Sequence, residues 1–408
     1  MATRGAGEAA PQHTAPANLR RRTLVVALSL VPMALVMLYF GVRGTNFDFA
    51  IYQGALTDVL HGRSAYDFTA FLPETGEHMG FIYPPFASLV MLPLAVVPEA
   101  VGRIAMAVLS TLLVIAALIG CIRVIDGRRR LAGRRRLSLL ACAIAALVLA
   151  VSTPAVSNMA LGQVSFAIAA LVLLDVLVLP QRWRGTLVGL AGAIKLTPMI
   201  LVPYYLVTRQ WRAALTASIT FGAATVIGAA FRWSDSIRYW LHPDVVRSTL
   251  GTLGRTDNWS IYGVLARIHL GGVALTGAWL VLSAVVVGIA LWRARRHFRA
   301  GQLVEATLVM GLAAALVTVA TWPHHVLFLM VACLLVAIQR PVVGFLVLVG
   351  FTLACYVIPD TIGNWAVLLM AVLVGVGIRD LRRSGVDRPP DAPTVAEPPT
   401  DPVALATQ

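Results

Sequence analysis

Lys195 is the only lysine in the chain; the other 32 of its 33 basic residues are arginine. It sits in an apolar run, Leu187-Val188-Gly189-Leu190-Ala191-Gly192-Ala193-Ile194-Lys195-Leu196-Thr197-Pro198-Met199-Ile200. A charge at membrane depth is costly, so an ionisable residue there marks a functional site by default. A compact ammonium on a flexible stem is a point-charge partner for phosphate. The plainer alternative is a lysine that snorkels to an interface.

Asp48 stands between Phe47 and Phe49, a few residues beyond the first apolar span. Flanking aromatics partly desolvate a carboxylate and raise its pKa toward a value useful for a general base. Asp48 also suits an N-cap for a short interfacial helix over Ala50-Ile51-Tyr52-Gln53-Gly54-Ala55-Leu56. His324 and His325 follow Trp322-Pro323 in a short link between two apolar segments. Adjacent histidines in a tight turn do not both ligate one ion without further ligands. They read either as hydrogen-bond partners for phosphate or hydroxyl groups at a cavity mouth, or as surface turn residues. Tyr83, in Tyr83-Pro84-Pro85-Phe86, is an interfacial anchor or a platform for a sugar ring. Asn258-Trp259-Ser260 formally matches an N-glycosylation acceptor.

The elements that must hold these residues are membrane helices. Hydrophobic residues make up 58% of the chain and charged residues 13%, and the mean hydropathy is +0.80. Candidate spans are 23–42, 83–97, 101–123, 137–152, 164–179, 186–207, 213–232, 273–292, 304–321, 326–338, 341–358 and 364–378. The chain therefore reads as an all-α polytopic membrane protein with about 10–13 transmembrane or re-entrant helices. The apolar runs are continuous rather than alternating, which argues against a β-barrel. Cys121, Cys142, Cys333 and Cys355 lie in or beside apolar segments and read as small buried hydrophobes. No metal-like spacing is visible, and neither a metal nor a cofactor is expected.

The net charge of +14 does not point to nucleic acid, because the arginines gather in short segments between apolar spans. Placing every basic cluster in the cytoplasm forces two irregularities. Segment 83–97 must dip in and return, and 186–207 must begin and end on one side, breaking near Thr197-Pro198. Broken helices at membrane depth survive only where they line protein or a wet cavity. The extracytoplasmic loops then carry Asp48, Asp58, Asp67, Glu74, Glu77, His78, Asp235, His242, Asp244, Asp257 and Asn258, with Gln163 at a helix entrance. The expected organisation is a disordered cytoplasmic N-terminus over 1–22, a membrane domain over 23–380 and a disordered cytoplasmic tail over 381–408.

In this order, several motifs together resemble glycosyltransferase family 87. They are Asp48-Phe49-Ala50-Ile51-Tyr52, Gly62 with Tyr66, Tyr83-Pro84-Pro85-Phe86 and Gly162-Gln163-Val164-Ser165. Ala193-Ile194-Lys195-Leu196-Thr197-Pro198 and Asn258-Trp259-Ser260-Ile261-Tyr262-Gly263 complete the set. The resemblance covers roughly residues 23–380 and is nearest to the α-(1→2)-mannosyltransferases of actinobacterial lipoglycan synthesis. It implies a GT-C fold with extracytoplasmic active-site loops in the cell membrane. It implies an inverting transfer from polyprenyl-phosphate mannose to a glycolipid acceptor of phosphatidylinositol mannoside or lipomannan type. Asp48 matches the family's base. Lys195, His324 and His325 would hold the donor phosphate, and Tyr52, Tyr83, Gln163 and Asn258 would bind substrate. The partners implied are the lipid-linked donor, the glycolipid acceptor and membrane lipids. The sequence departs from the family at Trp259, where Gln often stands, so the sugar and acceptor stay open, arabinofuranose included. The rival class is a lipid or sugar transporter, which also uses broken helices and buried charge.

Overall fold

The computed structural model describes residues 16–73, 76–131, 138–242, 251–339, 346, 349–350, 353, 359–376 and 378. Glu74, Asp244, Cys355, most of span 341–358, residues 1–15 of the expected tail over 1–22 and the whole expected tail over 381–408 lie outside the described residues.

Helix α1 (Pro16–Ser29), from Arg22 onward, and α2 (Val31–Arg43) form one apolar pair bent by 40°. Helix α1 begins six residues before the expected boundary at 22. Proline suits a helix's first turn, and Leu and Arg are good helix formers, so 16–21 extend the helix beyond its apolar part. Then come α3 (Phe47–Leu60), a hairpin of β1 (Thr69–Leu72) and β2 (Glu77–Gly80), and short α4 (Pro85–Met91). The long α5 (Glu99–Leu131) follows, then α6 (Leu139–Ala150) and α7 (Thr153–Ala160), which are bent by 58° at their junction. Next are α8 (Ser165–Leu177), α9 (Thr186–Ile194), α10 (Leu201–Val207), α11 (Trp211–Phe231) and α12 (Trp233–Leu241). The chain continues through α13 (Ile261–Arg267), α14 (Gly272–Arg299), α15 (Leu303–Val317), α16 (Leu327–Gln339) and α17 (Pro359–Val376). Among the described residues three helices are long and apolar enough to cross a membrane, and up to five if each bent pair is one span; shorter apolar helices fill the rest. This is an all-α multi-pass membrane protein.

One apolar segment doubles back on itself. The carboxylate of Asp175, near the end of α8, accepts from the backbone N–H of Gly185 at 2.7 Å and of Leu187 at 2.8 Å. It also accepts from the Tyr205 hydroxyl at 2.8 Å. Gly185 opens α9 and Tyr205 lies in α10, so both ends of the segment meet at one buried group. Between them the helix breaks at Lys195, and a 3-10 turn, Thr197–Ile200, starts the return. Glycines let α9 lie against α11: a Cβ on Gly189 would meet the Ala217 carbonyl at 2.6 Å. After α4 the chain is held to α3, where the Gln53 amide donates to the carbonyls of Leu94 and Val97, both at 3.0 Å.

One face collects the basic ends. Arg22 pairs with Asp126, and Arg128 donates to the fully buried Glu305 at 3.0 Å. At the other face a separate apolar cluster gathers Ile51, Tyr52, Leu56, Tyr66, Phe81, Tyr83 and Val164 from α3, the hairpin and the start of α8. Burying a side chain such as Phe81 contributes roughly 1.5–3 kcal/mol. Helix α12 clamps this cluster: Arg238 pairs with Asp67 at 2.7 Å, and Asp235 accepts from the Ala65 N–H at 3.4 Å. Tyr66, thus held, donates to the Tyr83 carbonyl at 2.8 Å.

Candidate active site

Asp48 lies in the first turn of α3, but the N-cap is Asn46, held in the left-handed region at φ 53°. The aspartate is therefore not the cap. Helix α3 is pinned against the turn after α7, with Phe49 N–H donating to the Leu161 carbonyl at 3.1 Å. Gly162 adopts φ +71°, and a Cβ there would meet the Phe49 Cβ at 2.7 Å. Only glycine suits both demands. The turn it makes brings Gln163 beside Asp48. Asn158 stabilises that turn by accepting from Phe166 N–H at 3.0 Å and donating to the Gln163 carbonyl at 3.2 Å.

The side chain of Gln163 is oriented by two phenols. The hydroxyls of Tyr52 and Tyr83 lie 2.8 Å apart and reach its Oε1 at 2.9 and 3.1 Å. Its amide nitrogen is thereby left to donate to the Asp48 carboxylate. Burial pushes the Asp48 pKa up to about 6, against the opposing pull of the Gln163 bond and the Lys195 charge. A carboxylate tuned there is ionised at neutral pH and still basic enough to take a hydroxyl proton. Tyr83 is buried within the site, which removes the interfacial-anchor reading.

Lys195 caps the C-terminal end of α9 in extended conformation. Its ammonium donates to Ser165 Oγ at 3.0 Å and meets His325 Nε2 at 2.9 Å, with the Tyr83 ring centroid 5.6 Å away. It does not snorkel to a surface. His325 Nδ1 accepts from the Trp322 N–H at 3.2 Å, which fixes the ring with Nε2 facing Lys195. Burial and the Lys195 charge hold both histidine pKa values well below the ordinary range. The imidazoles are thus neutral hydrogen-bonding groups.

The two histidines part company. Their rings stand perpendicular, 4.5 Å between centroids, on the 3-10 turn Pro323–His325. His324 is buried, 3.4 Å from Ser157 Oγ through Nδ1, and its Nε2 has no partner. Two cavities explain the division. One, of about 180 Å³, is lined by Asp48, Tyr52, Tyr83, Gln163, Asp257, Trp322 and both histidines. The other, of about 70 Å³, is lined by Lys195, Ser165 and His325 and then by apolar residues of α8, α10, α15 and α16, including Val172, Leu201 and Phe328. His325 borders both, and Lys195 stands beside it. Among the described residues no cluster of His, Cys, Asp or Glu is arranged to hold a metal ion.

Asn258 is placed elsewhere. It is fully buried; its amide nitrogen donates to the carbonyls of Leu253 at 2.8 Å and Val319 at 3.0 Å, and its Oδ1 accepts from Thr321 N–H at 2.9 Å. These bonds fix the loop before α13 to the segment before the histidine turn. They also leave no room for a glycan on the Asn258-Trp259-Ser260 match. Cys121, Cys142 and Cys333 are buried and unpaired. The sequence gives no role to Asn158, and it shows Ser165 only as the end of the Gly162-Gln163-Val164-Ser165 motif; the fold sets Ser165 against Lys195 and Asn158 under the Gln163 turn.

The profile of glycosyltransferase family 87 matches residues 81–323. A Mycobacterium tuberculosis protein named polyprenol-phosphate-mannose-dependent alpha-(1-2)-phosphatidylinositol mannoside mannosyltransferase is 31% identical over 322 residues, 77% of this chain and 74% of its own. The chain belongs to glycosyltransferase family 87. A like-named Mycolicibacterium smegmatis protein is 31% identical, over 76% of this chain and 74% of its own length. A further M. smegmatis relative, named for a phosphatidylinositol pentamannoside acceptor, is 30% identical over 77% of this chain and 75% of its own. As a family 87 member the protein is a glycosyltransferase, and its all-α membrane architecture is that of the GT-C class.

Proposed function

We propose that this protein moves mannose from polyprenyl-phosphate mannose to a phosphatidylinositol mannoside acceptor, with inversion at the anomeric carbon. The observation that carries this reading is a pair of cavities that share His325 in their walls, with Lys195 lining the narrower one. The wider cavity holds a carboxylate tuned as a base; the narrower one is an apolar slot with an ammonium at its head. A sugar linked through phosphate to an isoprenoid chain fits that arrangement from one end to the other. The polyprenyl chain lies in the slot between α8, α10, α15 and α16, and the phosphate lies at Lys195. The sugar occupies the wider cavity. An acceptor hydroxyl attacks the anomeric carbon, the bond from that carbon to the phosphate oxygen breaks, and Asp48 takes the hydroxyl proton. Lys195 balances the charge that grows on the leaving phosphate, with Ser165 and neutral His325 holding it in place. Tyr52, Tyr83 and Gln163 orient the base. The relatives' names support the donor and the acceptor class. The test is to incubate purified protein with the donor and a series of mannolipids and identify products by mass spectrometry. A product one hexose heavier than a phosphatidylinositol mannoside is expected. Transfer only from an arabinofuranosyl donor would replace the sugar, and no transfer from any lipid-linked donor would overturn the reading.

The site opens on the extracytoplasmic side of the cell membrane, and 23–380 is the catalytic domain. The support is the arginine pattern, together with the gathering of Arg22, Arg128 and Glu305 at one face. Thr69 in β1 and Gln181 between α8 and α9 are both exposed. With the native cysteines replaced, cysteine at Thr69 should react with an impermeant thiol reagent applied to intact cells, and cysteine at Gln181 should not. The reverse pattern would turn the topology over and remove the argument for a lipid-linked donor.

A further inference from the structure

A second carboxylate faces the wider cavity. Asp257 lines it together with Asp48, Arg255 and Trp322. The Asp257 side chain is 39% exposed, enough to meet a ligand, yet it is firmly held. Arg255 Nε donates to its Oδ1 at 2.9 Å and a terminal nitrogen of the same guanidinium donates to Oδ2 at 2.6 Å. This two-point fork fixes the plane of the carboxylate. Arg255 is itself braced. Its guanidinium lies 5.5 Å from the Trp322 ring centroid, and it reaches Glu77 of β2 at 3.5 Å. Its own carbonyl accepts from Arg267 at 2.6 Å. Glu77 in turn accepts from Thr252 N–H at 2.9 Å, which ties the hairpin to the loop that carries Asp257.

The charge balance of this wall says what it can receive. Among the described residues lining this cavity Arg255 is the only arginine or lysine, and Asp257 and Glu77 already counter it. None of the described residues lining the cavity offers an unpaired arginine or lysine to a phosphate, and two carboxylates repel an anionic headgroup. A carboxylate oxygen has two lone pairs, so after the fork each oxygen of Asp257 can still accept one more hydrogen bond. The wall is built for neutral hydroxyl groups.

We propose that Asp257 binds the acceptor, accepting hydrogen bonds from two hydroxyls of the uncharged terminal sugar, with Arg255 as the residue that positions its carboxylate. This rests on the transferase reading above and adds where the acceptor is recognised. Its charged lipid headgroup stays outside the cavity, and the sugar enters against Asp257 so that the attacking hydroxyl faces Asp48. Asp257 is thus a specificity residue: it fixes which hydroxyl arrangement is presented.

The experiment compares the wild type with Asp257→Asn and Arg255→Lys in the full-length protein. The first keeps the side chain's shape and removes the charge; the second keeps the charge and removes the fork. Steady-state transfer is measured with donor and acceptor varied in turn, alongside the slow hydrolysis of donor by water. Loss of charge-assisted hydrogen bonds should raise the acceptor KM about tenfold or more in both variants. The donor KM and the hydrolysis rate should stay within about twofold of wild type. An unchanged acceptor KM in Asp257→Asn, or an equal rise in donor KM, overturns the inference while the proposed function stands. A direct reading uses α-linked mannobiose and saturation-transfer NMR on protein in lipid nanodiscs. Signal is expected with wild type and little with Asp257→Asn. If wild type transfers no mannose at all, the function falls, and this binding comparison still decides the role of Asp257. Equal signal in the two proteins, or none in wild type, overturns it.

Discussion

Replacing Asp48 with Asn will lower turnover by at least about 100-fold, the usual scale for loss of a general base. The substitution keeps the shape of the side chain and an oxygen for the Gln163 amide, so the tyrosine-glutamine arrangement around it persists. Only basicity is lost. The pH profile gives an independent reading of the same group. Burial raises the Asp48 pKa to about 6, so the carboxyl binds its proton more tightly than an exposed aspartate does. Below that pH the base is protonated and idle; above it the base is free. The wild-type kcat/KM should therefore fall as pH drops through about 6 and level off above about 7. The residual activity of Asp48→Asn should lack that limb. Near-normal turnover in a folded Asp48→Asn protein would remove Asp48 from the mechanism.

Lys195→Met should slow transfer by about 100-fold, the range seen when a preorganised charge-stabilising donor is removed. Methionine fills a similar length and carries no charge, so the apolar slot stays intact while its headgroup contact vanishes. The loss should fall on donor KM, on kcat, or on both, and the acceptor KM should not change. Lys195→Arg keeps a cation but substitutes a broad planar group for a compact one at a site sized by Ser165 and His325, so its rescue should be partial. Unchanged donor KM and kcat in Lys195→Met, with the protein correctly folded, would reduce the lysine to a structural role.

Asp48 and Lys195 were legible because each is a charge in a context that penalises charge, and a sequence displays such contexts directly. The break at Lys195 was legible for a related reason, since the arginine clusters demanded a segment that turned back and Pro198 supplied the place. The partition of the histidines was not legible. His324 and His325 look equivalent in the chain, but a single 3-10 turn sets their rings at 90° and sends them to different neighbours, Ser157 and Lys195. Asn258 misled for the opposite reason. An amide in a recurring motif suggests a ligand, yet this one spends its hydrogen bonds on three backbone groups. Nothing local distinguishes an amide that holds a loop from one that holds a sugar. The distinction depends on Val319 and Thr321, about sixty positions further along the chain. The Arg255 and Asp257 pair was equally hidden, because its meaning comes from Trp322 and Glu77, which only the fold brings alongside.

The meeting of both ends of the doubled-back segment at Asp175 has a metrical consequence. With its base anchored there, α9 acts as a ruler that sets how deep the ammonium stands. Nine residues of helix reach about 13.5 Å at 1.5 Å each, roughly half the thickness of a bilayer's hydrocarbon interior. The length cannot be adjusted smoothly. One residue more or less moves Lys195 by about 1.5 Å and swings it by about 100° around the helix axis, away from Ser165 and His325. The distance from anchor to ammonium is therefore counted in whole residues, and under the proposed function the donor phosphate must come to that height to be met.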